Sequence, residues 1–156
     1  MDCAFCDKIN LDFRKFYEND LFVAMYNLRP FVEGHSIIFP KRHVDSLLKL
    51  DEKEKTSLVS FLDRTIFIAL KYAEAYQFDL ILQEGEMAGQ SVPHVHFHVM
   101  PRKAGDDVAK SKSEWLQSFQ KTENDIRKNL SKEETQRAVD KLRFIAKEYA
   151  LQLETL

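Results

Sequence analysis

Apolar residues gather in short runs in the N-terminal two thirds of the chain, and proline or glycine separates the runs. The first run covers residues 21–26, has the length of a β-strand and ends before Asn27-Leu28-Arg29-Pro30. The second covers residues 35–40, follows a turn signal at Glu33-Gly34, and is rich in β-branched and aromatic residues. Because a short loop joins the two runs, they predict neighbouring antiparallel strands.

Two more runs predict a third and a fourth strand. Residues 80–83 form the third, a loop with Gly85 and Gly89 follows, and the fourth extends from about Pro93 to Met100. Apolar and polar residues alternate along the fourth strand, so one set of side chains faces the core and the other set faces the opposite surface. The set that faces the core is Val95, Phe97 and Val99, and the other set is His94, His96 and His98.

Two longer segments have helical periodicity. Asp51-x-x-Glu54 resembles a capping box that opens a helix to about Tyr76, and Ser131-x-x-Glu134 resembles another that opens a C-terminal helix, residues 131–153. The predicted buried stripe of the first helix is Val59, Leu62, Ile66, Ala69, Leu70 and Ala73. More apolar surface remains on this helix than one sheet covers, which indicates either deeper burial or a dimer contact. The residues that supply it are Leu58, Phe61, Ile68 and Tyr72.

These elements predict the fold class. Strands follow one another through short loops instead of alternating regularly with helices, which favours an α+β fold over a parallel α/β one. We therefore expect an antiparallel sheet with one long helix packed on it and a second helix at the C-terminus.

Composition narrows the class of protein further. The chain has 156 residues, 44% hydrophobic and 31% charged, as in a soluble globular protein with a single domain over residues 1–156. A net charge of -2 supplies no global field for nucleic acid, which disfavours a nucleic-acid partner. No stretch has the roughly 20 apolar residues of a membrane span, and the N-terminus lacks the order of a signal peptide. We expect a cytoplasmic protein with no membrane partner.

Residues 104–130 are rich in charge and poor in periodicity. We expect a mobile loop there, with Trp115 as either a packing anchor or a lid that stacks on a base. Arg102 and Lys103 precede this segment and are candidates to bring positive charge to a site.

Both cysteines fall in one Cys3-x-x-Cys6 pair within a polar N-terminal segment, residues 1–20. Two cysteines do not make a disulfide framework. In a reducing compartment their spacing indicates metal or redox chemistry, or else two free thiols.

Three histidines on one face of a strand permit two kinds of chemistry, a metal site or nucleophilic catalysis. No acidic residue lies within the motif to complete a metal site. Phosphoryl transfer needs an imidazole nucleophile held in one tautomer, with hydrogen-bond donors facing the phosphate oxygens. Gln90, Ser91 and the flanking histidines are such donors, so phosphoryl transfer is favoured.

The segment from Gly89 to Met100, preceded by Gly34-His35, closely resembles the signature of the histidine triad (HIT) superfamily. Within it, Asn27-Leu-Arg-Pro, Gln83-Glu-Gly-Glu-Met-Ala-Gly-Gln and Pro101-Arg-Lys-Ala-Gly-Asp106 are similar to the Fhit branch. The resemblance implies a homodimer of the HIT fold that hydrolyses dinucleoside polyphosphates, such as diadenosine tri- or tetraphosphate.

Three alternatives remain beside that activity. Hint-like nucleoside phosphoramidases carry an aspartate in place of Asn27 and usually end soon after the triad, whereas this chain continues well beyond Met100. A nucleotide-binding signalling module would use the substrate complex as its active species, and hydrolysis would only end the signal. A zinc-stabilised binding domain would have no catalysis.

The resemblance also implies roles for individual residues. His96 would be the nucleophile that attacks the α-phosphorus, His98 would bind the α-phosphate, and the His94 carbonyl would fix the tautomer of His96. His35 would steady the triad from the second strand. The residues implied to bind substrate are Gln83, Gln90 and Ser91 for the phosphates and Asn27 for the ribose. Mg²⁺ bound with the substrate is the expected neutraliser of the anionic leaving group.

Many bacterial members of the superfamily share the N-terminal cysteine pair, and in them it belongs to a zinc site. The ligands that the resemblance implies here are Cys3, Cys6, His43 and His94. Two thiolates and two imidazoles would make a closed structural site and clip the N-terminal segment to the sheet.

Overall fold

The computed structural model describes residues 3–106 and 129–154. The elements in chain order are helix α1 (Lys8–Arg14), strands β1 (Lys15–Glu18), β2 (Phe22–Tyr26) and β3 (Ser36–Pro40), helix α2 (Glu52–Ala73), strands β4 (Gln77–Leu82) and β5 (Phe97–Arg102), and helix α3 (Lys132–Glu154). Two single turns of 3-10 helix, Leu47–Lys49 and Glu86–Ala88, interrupt the loops before α2 and after β4.

The strands form one antiparallel sheet in the order β1-β2-β3-β5-β4. Strand β5 enters between β3 and β4, so His98 pairs with Ile37 on one side and with Ile81 on the other. The predicted α+β fold with an antiparallel sheet is confirmed. It brings the histidine strand to an interior position in the sheet.

The two faces of the sheet are covered differently. Helices α2 and α3 pack on one face, where Ile38, Val95 and Val99 join the main core. A smaller cluster on the other face consists of Cys3, Phe5, Val23, Met25, Ile37 and Phe39. Paired residues in a sheet share a face, so His98 lies on the face of its partner Ile37. The histidines therefore lie on the side that the N-terminal turn, residues 3–6, covers.

Both predicted capping boxes are confirmed. At the start of α2 the Glu54 N–H donates to the Asp51 carboxylate over 2.8 Å, and the Asp51 N–H donates to the Glu54 carboxylate over 2.9 Å. Ser131 and Glu134 make the same reciprocal pair at the start of α3. Helix α2 ends three residues before the predicted Tyr76, because Glu74 adopts a left-handed conformation with φ of 54°.

The predicted stripe of α2 is partly wrong. Val59 is 72% exposed, while Ala69 and Ala73 are buried as expected. The four apolar residues that lie outside the predicted stripe are all buried: Leu58, Phe61, Ile68 and Tyr72. They join one core with residues of α3, so deeper burial accounts for the wide apolar surface of α2.

The predicted strands also need correction. The described residues form five strands where the sequence predicts four, and α1 and β1 lie in the polar N-terminal segment, for which no helix or strand is predicted. β4 begins at Gln77 instead of residue 80, and β5 begins at Phe97 instead of Pro93. Residues 94–96 lie outside the ladder because the Val95 N–H donates to the Val44 carbonyl in a loop, over 2.7 Å.

Trp115 and most of the segment 104–130 lie outside the described residues. Arg102 is ion-paired with Asp79 and Asp106, and Lys103 with Glu33, so their charges are already compensated. Among the described helices, none combines the length and the apolar character that crossing a membrane requires.

Candidate functional site

The structure places His94, His96 and His98 in one row, but not on an open surface. The His94 and His96 side chains are buried, with 0% and 3% exposure, and the ring centroids of His96 and His98 lie 5.1 Å apart. The ring of Phe5 packs edgewise on His94 and His96 at 5.8 and 4.9 Å. The N-terminal turn thus covers the first two histidines, which a strand pattern alone does not reveal.

The ring of His96 is held in one tautomer. Its Nδ1 lies 2.8 Å from the main-chain carbonyl oxygen of His94, and a carbonyl can only accept, so the proton of neutral His96 is on Nδ1. Nε2 then carries the lone pair. Burial lowers the pKa of His96, and the hydrogen bond to the His94 carbonyl opposes that shift only in part. His96 is therefore a neutral imidazole with a nucleophilic nitrogen.

A second chain of hydrogen bonds fixes His35 and His98. The Phe31 N–H donates to Nδ1 of His35 over 3.2 Å, which leaves the proton of neutral His35 on Nε2. That Nε2 lies 3.0 Å from Nδ1 of His98. The Nδ1 of His98 therefore accepts, and the proton of neutral His98 is on its Nε2. The middle and last histidines consequently offer opposite functions, a lone pair and a donor.

Asn27 lies beside this pair. Its Nδ2 is 3.2 Å from Nε2 and 3.5 Å from Nδ1 of His35, so the amide lies across the ring. The Arg29 N–H donates to the Asn27 carboxamide oxygen over 3.0 Å, and the Asn27 N–H donates to the His35 carbonyl over 2.9 Å. The structure thus brings Asn27 to the His35 and His98 end of the histidine row.

Gln83 and Gln90 lie at the two ends of the loop that follows β4. The Gln83 amide donates to the Ala88 carbonyl over 2.8 Å, and the Gly85 N–H donates to the Gln90 carboxamide oxygen over 2.8 Å. Gly89 has φ of 89°, and a Cβ there would come within 2.8 Å of Gln83. Both glutamines therefore shape the loop in this structure, while Ser91 is exposed.

The four candidate metal ligands come together. One donor atom from each of Cys3, Cys6, His43 and His94 lies within 4.8 Å of all the others. The Cys3 sulfur is 3.4 Å from Nδ1 of His94, and the Cys6 sulfur is 3.5 Å from Nδ1 of His43. Donor atoms that share a tetrahedral zinc lie about 3.3 to 3.8 Å apart. The arrangement fits zinc.

The surroundings of this cluster also suit a metal. Nε2 of His94 donates to the Pro40 carbonyl over 2.9 Å, so the lone pair on Nδ1 points to the sulfurs, as in metal-bound histidines. Burial is the main cause that lowers the pKa of His94 to about 4, which keeps the ring neutral. Burial and the neighbouring Cys3 raise the pKa of Cys6 in the absence of a cation.

Sequence reasoning missed three contributors to this site. Phe5 packs on His96, the Phe31 N–H sets the tautomer of His35, and the Pro40 carbonyl orients His94. Two of them act through main-chain atoms, and the type of amino acid at those positions does not indicate such a contact. Phe5 had a signal, because it is an aromatic residue between two candidate metal ligands.

Three alternate histidines at the start of an interior strand of an antiparallel sheet, with the middle ring locked by the carbonyl of the first, define a histidine triad protein. Residues 9–105 match the model of the HIT domain family, so the chain belongs to this family. The resemblance seen in the sequence is confirmed.

Two relatives and one solved structure illustrate the similarity. A bifunctional bis(5'-adenosyl)-triphosphatase/adenylylsulfatase of Arabidopsis thaliana is 30% identical over 86% of this chain and 74% of its own length. An asymmetrical bis(5'-nucleosyl)-tetraphosphatase of Schizosaccharomyces pombe is 37% identical over 58% of this chain, and the match spans 50% of that protein. A hypothetical histidine triad nucleotide-binding protein of Sulfolobus tokodaii is 26% identical, with a TM-score of 0.74 over 94% of this chain and 93% of that one.

Proposed function

We propose that this protein hydrolyses dinucleoside polyphosphates at the α-phosphate through a nucleotidyl intermediate on His96. The observation that carries the proposal is the 2.8 Å hydrogen bond from Nδ1 of His96 to the His94 carbonyl. It fixes a buried, neutral imidazole with its lone pair on Nε2, which is what a nitrogen nucleophile requires.

The reaction divides into two displacements. Nε2 of His96 forms a bond to the α-phosphorus while the bond from phosphorus to the bridging oxygen breaks, and the remaining nucleotide leaves with that electron pair. Water then attacks the same phosphorus, and the bond from phosphorus to Nε2 breaks with its electron pair returning to Nε2. The nucleoside monophosphate is released, and one proton of the water passes to solvent. The proton on Nε2 of His98 is a hydrogen-bond donor for the α-phosphate oxygens in both steps. Mg²⁺ that arrives with the polyphosphate would neutralise the charge of the leaving group.

The substrate class is supported by two named relatives. Relatives at 30% and 37% identity are named as a triphosphatase and a tetraphosphatase that act on such dinucleotides. Asn27, with its side chain across His35, is the proposed ribose contact. Gln83, Gln90 and Ser91 are the proposed phosphate contacts.

One experiment separates the activity from its alternatives. Purified protein is incubated with diadenosine tri- and tetraphosphate and Mg²⁺, and the products are resolved by ion-exchange chromatography. We expect AMP together with ADP from the triphosphate and with ATP from the tetraphosphate. Cleavage of adenosine phosphoramidates without cleavage of either dinucleotide would identify a Hint-like enzyme instead. Tight binding with very slow turnover would favour a signalling module, and no turnover at all would favour a binding domain.

We further propose that Cys3, Cys6, His43 and His94 hold a structural zinc ion. The cluster has two sulfur and two imidazole donors, which is a closed set without an open position for substrate. When bound, zinc would join the N-terminal turn to the start of the histidine row. His94 would then serve both sites, through its ring at the metal and through its carbonyl at His96.

The homodimer is also proposed, with β4 as its contact. This strand pairs with β5 on one side, and among the described strands it has no partner on the other. Phe78 and Leu80 of β4 are 44% and 41% exposed, and Tyr76, just before the strand, is 96% exposed. An exposed apolar edge strand favours pairing with another chain. Sedimentation analysis should give twice the mass of the chain, and Leu80→Lys should halve it.

A further inference from the structure

The side chain of Glu84 joins the loop after β4 to another part of the protein. One carboxylate oxygen of Glu84 accepts from the Ser46 hydroxyl over 2.7 Å, and the other accepts from the Leu47 N–H over 2.7 Å. Two short bonds to one carboxylate are charge-assisted and stronger than neutral contacts. They link two loops that are distant in sequence, so the contact is tertiary.

This loop lies beside the proposed nucleophile. The last pair of the β4 and β5 ladder is Leu82 with Phe97, so Gln83 and His96 are each one residue beyond that pair, at the same end of the ladder. Glu84 follows directly. The Gln90 side chain closes the loop by accepting from the Gly85 N–H, and it also donates to the Asp45 carbonyl beside Ser46. Glu84 thus lies between the two glutamines that we propose as phosphate contacts.

The other partner of the contact is also fixed relative to the histidines. Ser46 and Leu47 belong to the turn that begins with the proposed metal ligand His43. In the same turn the Val44 carbonyl accepts from the Val95 N–H over 2.7 Å, between His94 and His96 in sequence. Through this turn, Glu84 connects the loop of residues 83–90, here called the glutamine loop, to the segment that holds the nucleophile.

The position of the loop indicates which part of the substrate it meets. Asn27 lies at the His98 end of the row, because both contact His35. Gln83 and His96 each adjoin the last pair of the β4 and β5 ladder, Leu82 with Phe97. Consider a dinucleotide whose ribose contacts Asn27 and whose α-phosphate is attacked by His96. The phosphates that follow this α-phosphate in the chain would then reach the glutamine loop.

We propose that Glu84 is a positioning residue that holds the glutamine loop where it binds these further phosphates. This assignment rests on the proposed function. Glu84 acts through Ser46 and Leu47 and does not touch the substrate. Its loss should therefore affect substrates with a phosphate chain and spare those without one.

The test compares Glu84→Ala with the wild type on two substrates, diadenosine triphosphate and the 4-nitrophenyl ester of AMP. The ester has the α-phosphate but no further phosphate. Glu86→Ala is the matched control, because it removes the same charge from an exposed position in the same loop. We expect kcat/KM for the dinucleotide to fall about 10- to 100-fold in Glu84→Ala. The value for the ester should fall by a much smaller factor, and Glu86→Ala should match the wild type on both.

A second variant tests whether Glu84 acts through the observed contact. Ser46→Ala removes one partner, and the Ser46→Ala/Glu84→Ala double variant should lose no more dinucleotide activity than the worse single variant. Glu84→Gln keeps the size of the side chain and should recover part of the activity. This variant replaces Glu84→Ala in the comparison if Glu84→Ala folds poorly.

The outcomes separate this assignment from the proposed function. Equal loss on both substrates in Glu84→Ala and Glu84→Gln would overturn the positioning role, and so would dinucleotide activity equal to that of Glu86→Ala. Additive effects of the Ser46 and Glu84 substitutions would overturn it as well. If the wild type does not cleave the dinucleotide, the proposed function fails and the assignment falls with it.

Discussion

Nε2 of His35, the residue before β3, lies 3.0 Å from Nδ1 of His98 in β5. Because the Phe31 N–H donates to the other nitrogen of His35, this contact runs in one direction, from His35 to His98. A buried main-chain amide thereby determines which nitrogen of His98 carries a proton. The ring that would bind the α-phosphate is oriented by a residue that does not reach the phosphate.

Replacing His35 should reveal this dependence. His35→Phe removes the donor to His98 and leaves the Phe31 N–H without its acceptor, so we expect kcat to fall about 10- to 100-fold. His35→Gln can both accept and donate, and it should retain more activity than His35→Phe. Steady-state kinetics on diadenosine triphosphate measure the effect, and melting temperatures identify loss through misfolding. Full activity in folded His35→Phe would contradict the orienting role.

His96→Ala should abolish hydrolysis while nucleotide binding remains. The substitution removes the only nitrogen proposed to attack phosphorus, but it leaves Asn27, His98 and the glutamine loop in place. Turnover measured by chromatography should fall by more than about 10⁴-fold, and calorimetry with AMP should still detect binding. Retained turnover would remove the role assigned to His96, whereas loss of both turnover and binding would indicate a collapsed site.

Removing a proposed metal ligand should release zinc and loosen the N-terminal turn. Purified wild-type protein should contain about one zinc per chain by elemental analysis, and Cys3→Ser should contain little, because three ligands remain from a closed set of four. The melting temperature should fall in Cys3→Ser, and a chelator should lower that of the wild type. If the wild-type protein contains no zinc after purification from cells that were supplied with zinc, the proposal is contradicted.

The capping box of α2 should make stability depend on pH. The Glu54 carboxylate bonds the Arg42 guanidinium at 2.6 and 3.0 Å and is almost fully buried. The hydrogen bonds from Arg42 are the main cause that lowers the pKa of Glu54 below its ordinary value of 4.5. A carboxylate with a lowered pKa stabilises the fold above that ordinary value, and the contribution is lost as the pH falls through the lowered pKa.

Glu54→Ala should therefore lower the free energy of unfolding by about 1 to 2 kcal/mol at pH 7, as for the loss of a helix cap. Glu54→Gln keeps an acceptor for the Asp51 N–H but loses the charge, so its cost should be smaller. The difference between wild type and Glu54→Gln should shrink as the pH is lowered below 4.5, measured by urea unfolding. A difference that stays constant with pH would show that the charge of Glu54 does not contribute.

The sequence by itself determined much of this protein through local patterns. Alternation over residues 94–99 separated the histidines from the apolar core residues, and the capping boxes marked where α2 and α3 begin. The resemblance around Gly89 to Met100 identified the family. These signals are local because alternation, capping and short motifs act between residues close in the chain.

Only the tertiary structure decided the rest, because it depends on which distant segments meet. The sequence did not reveal that β5 inserts between β3 and β4, nor that Phe5 covers His96. The tautomers of His96 and His35 are set by main-chain groups of His94 and Phe31, and main-chain groups are the same at nearly every residue. A sequence can name the histidines, but their protons are assigned by the carbonyl and amide that the fold brings against each ring.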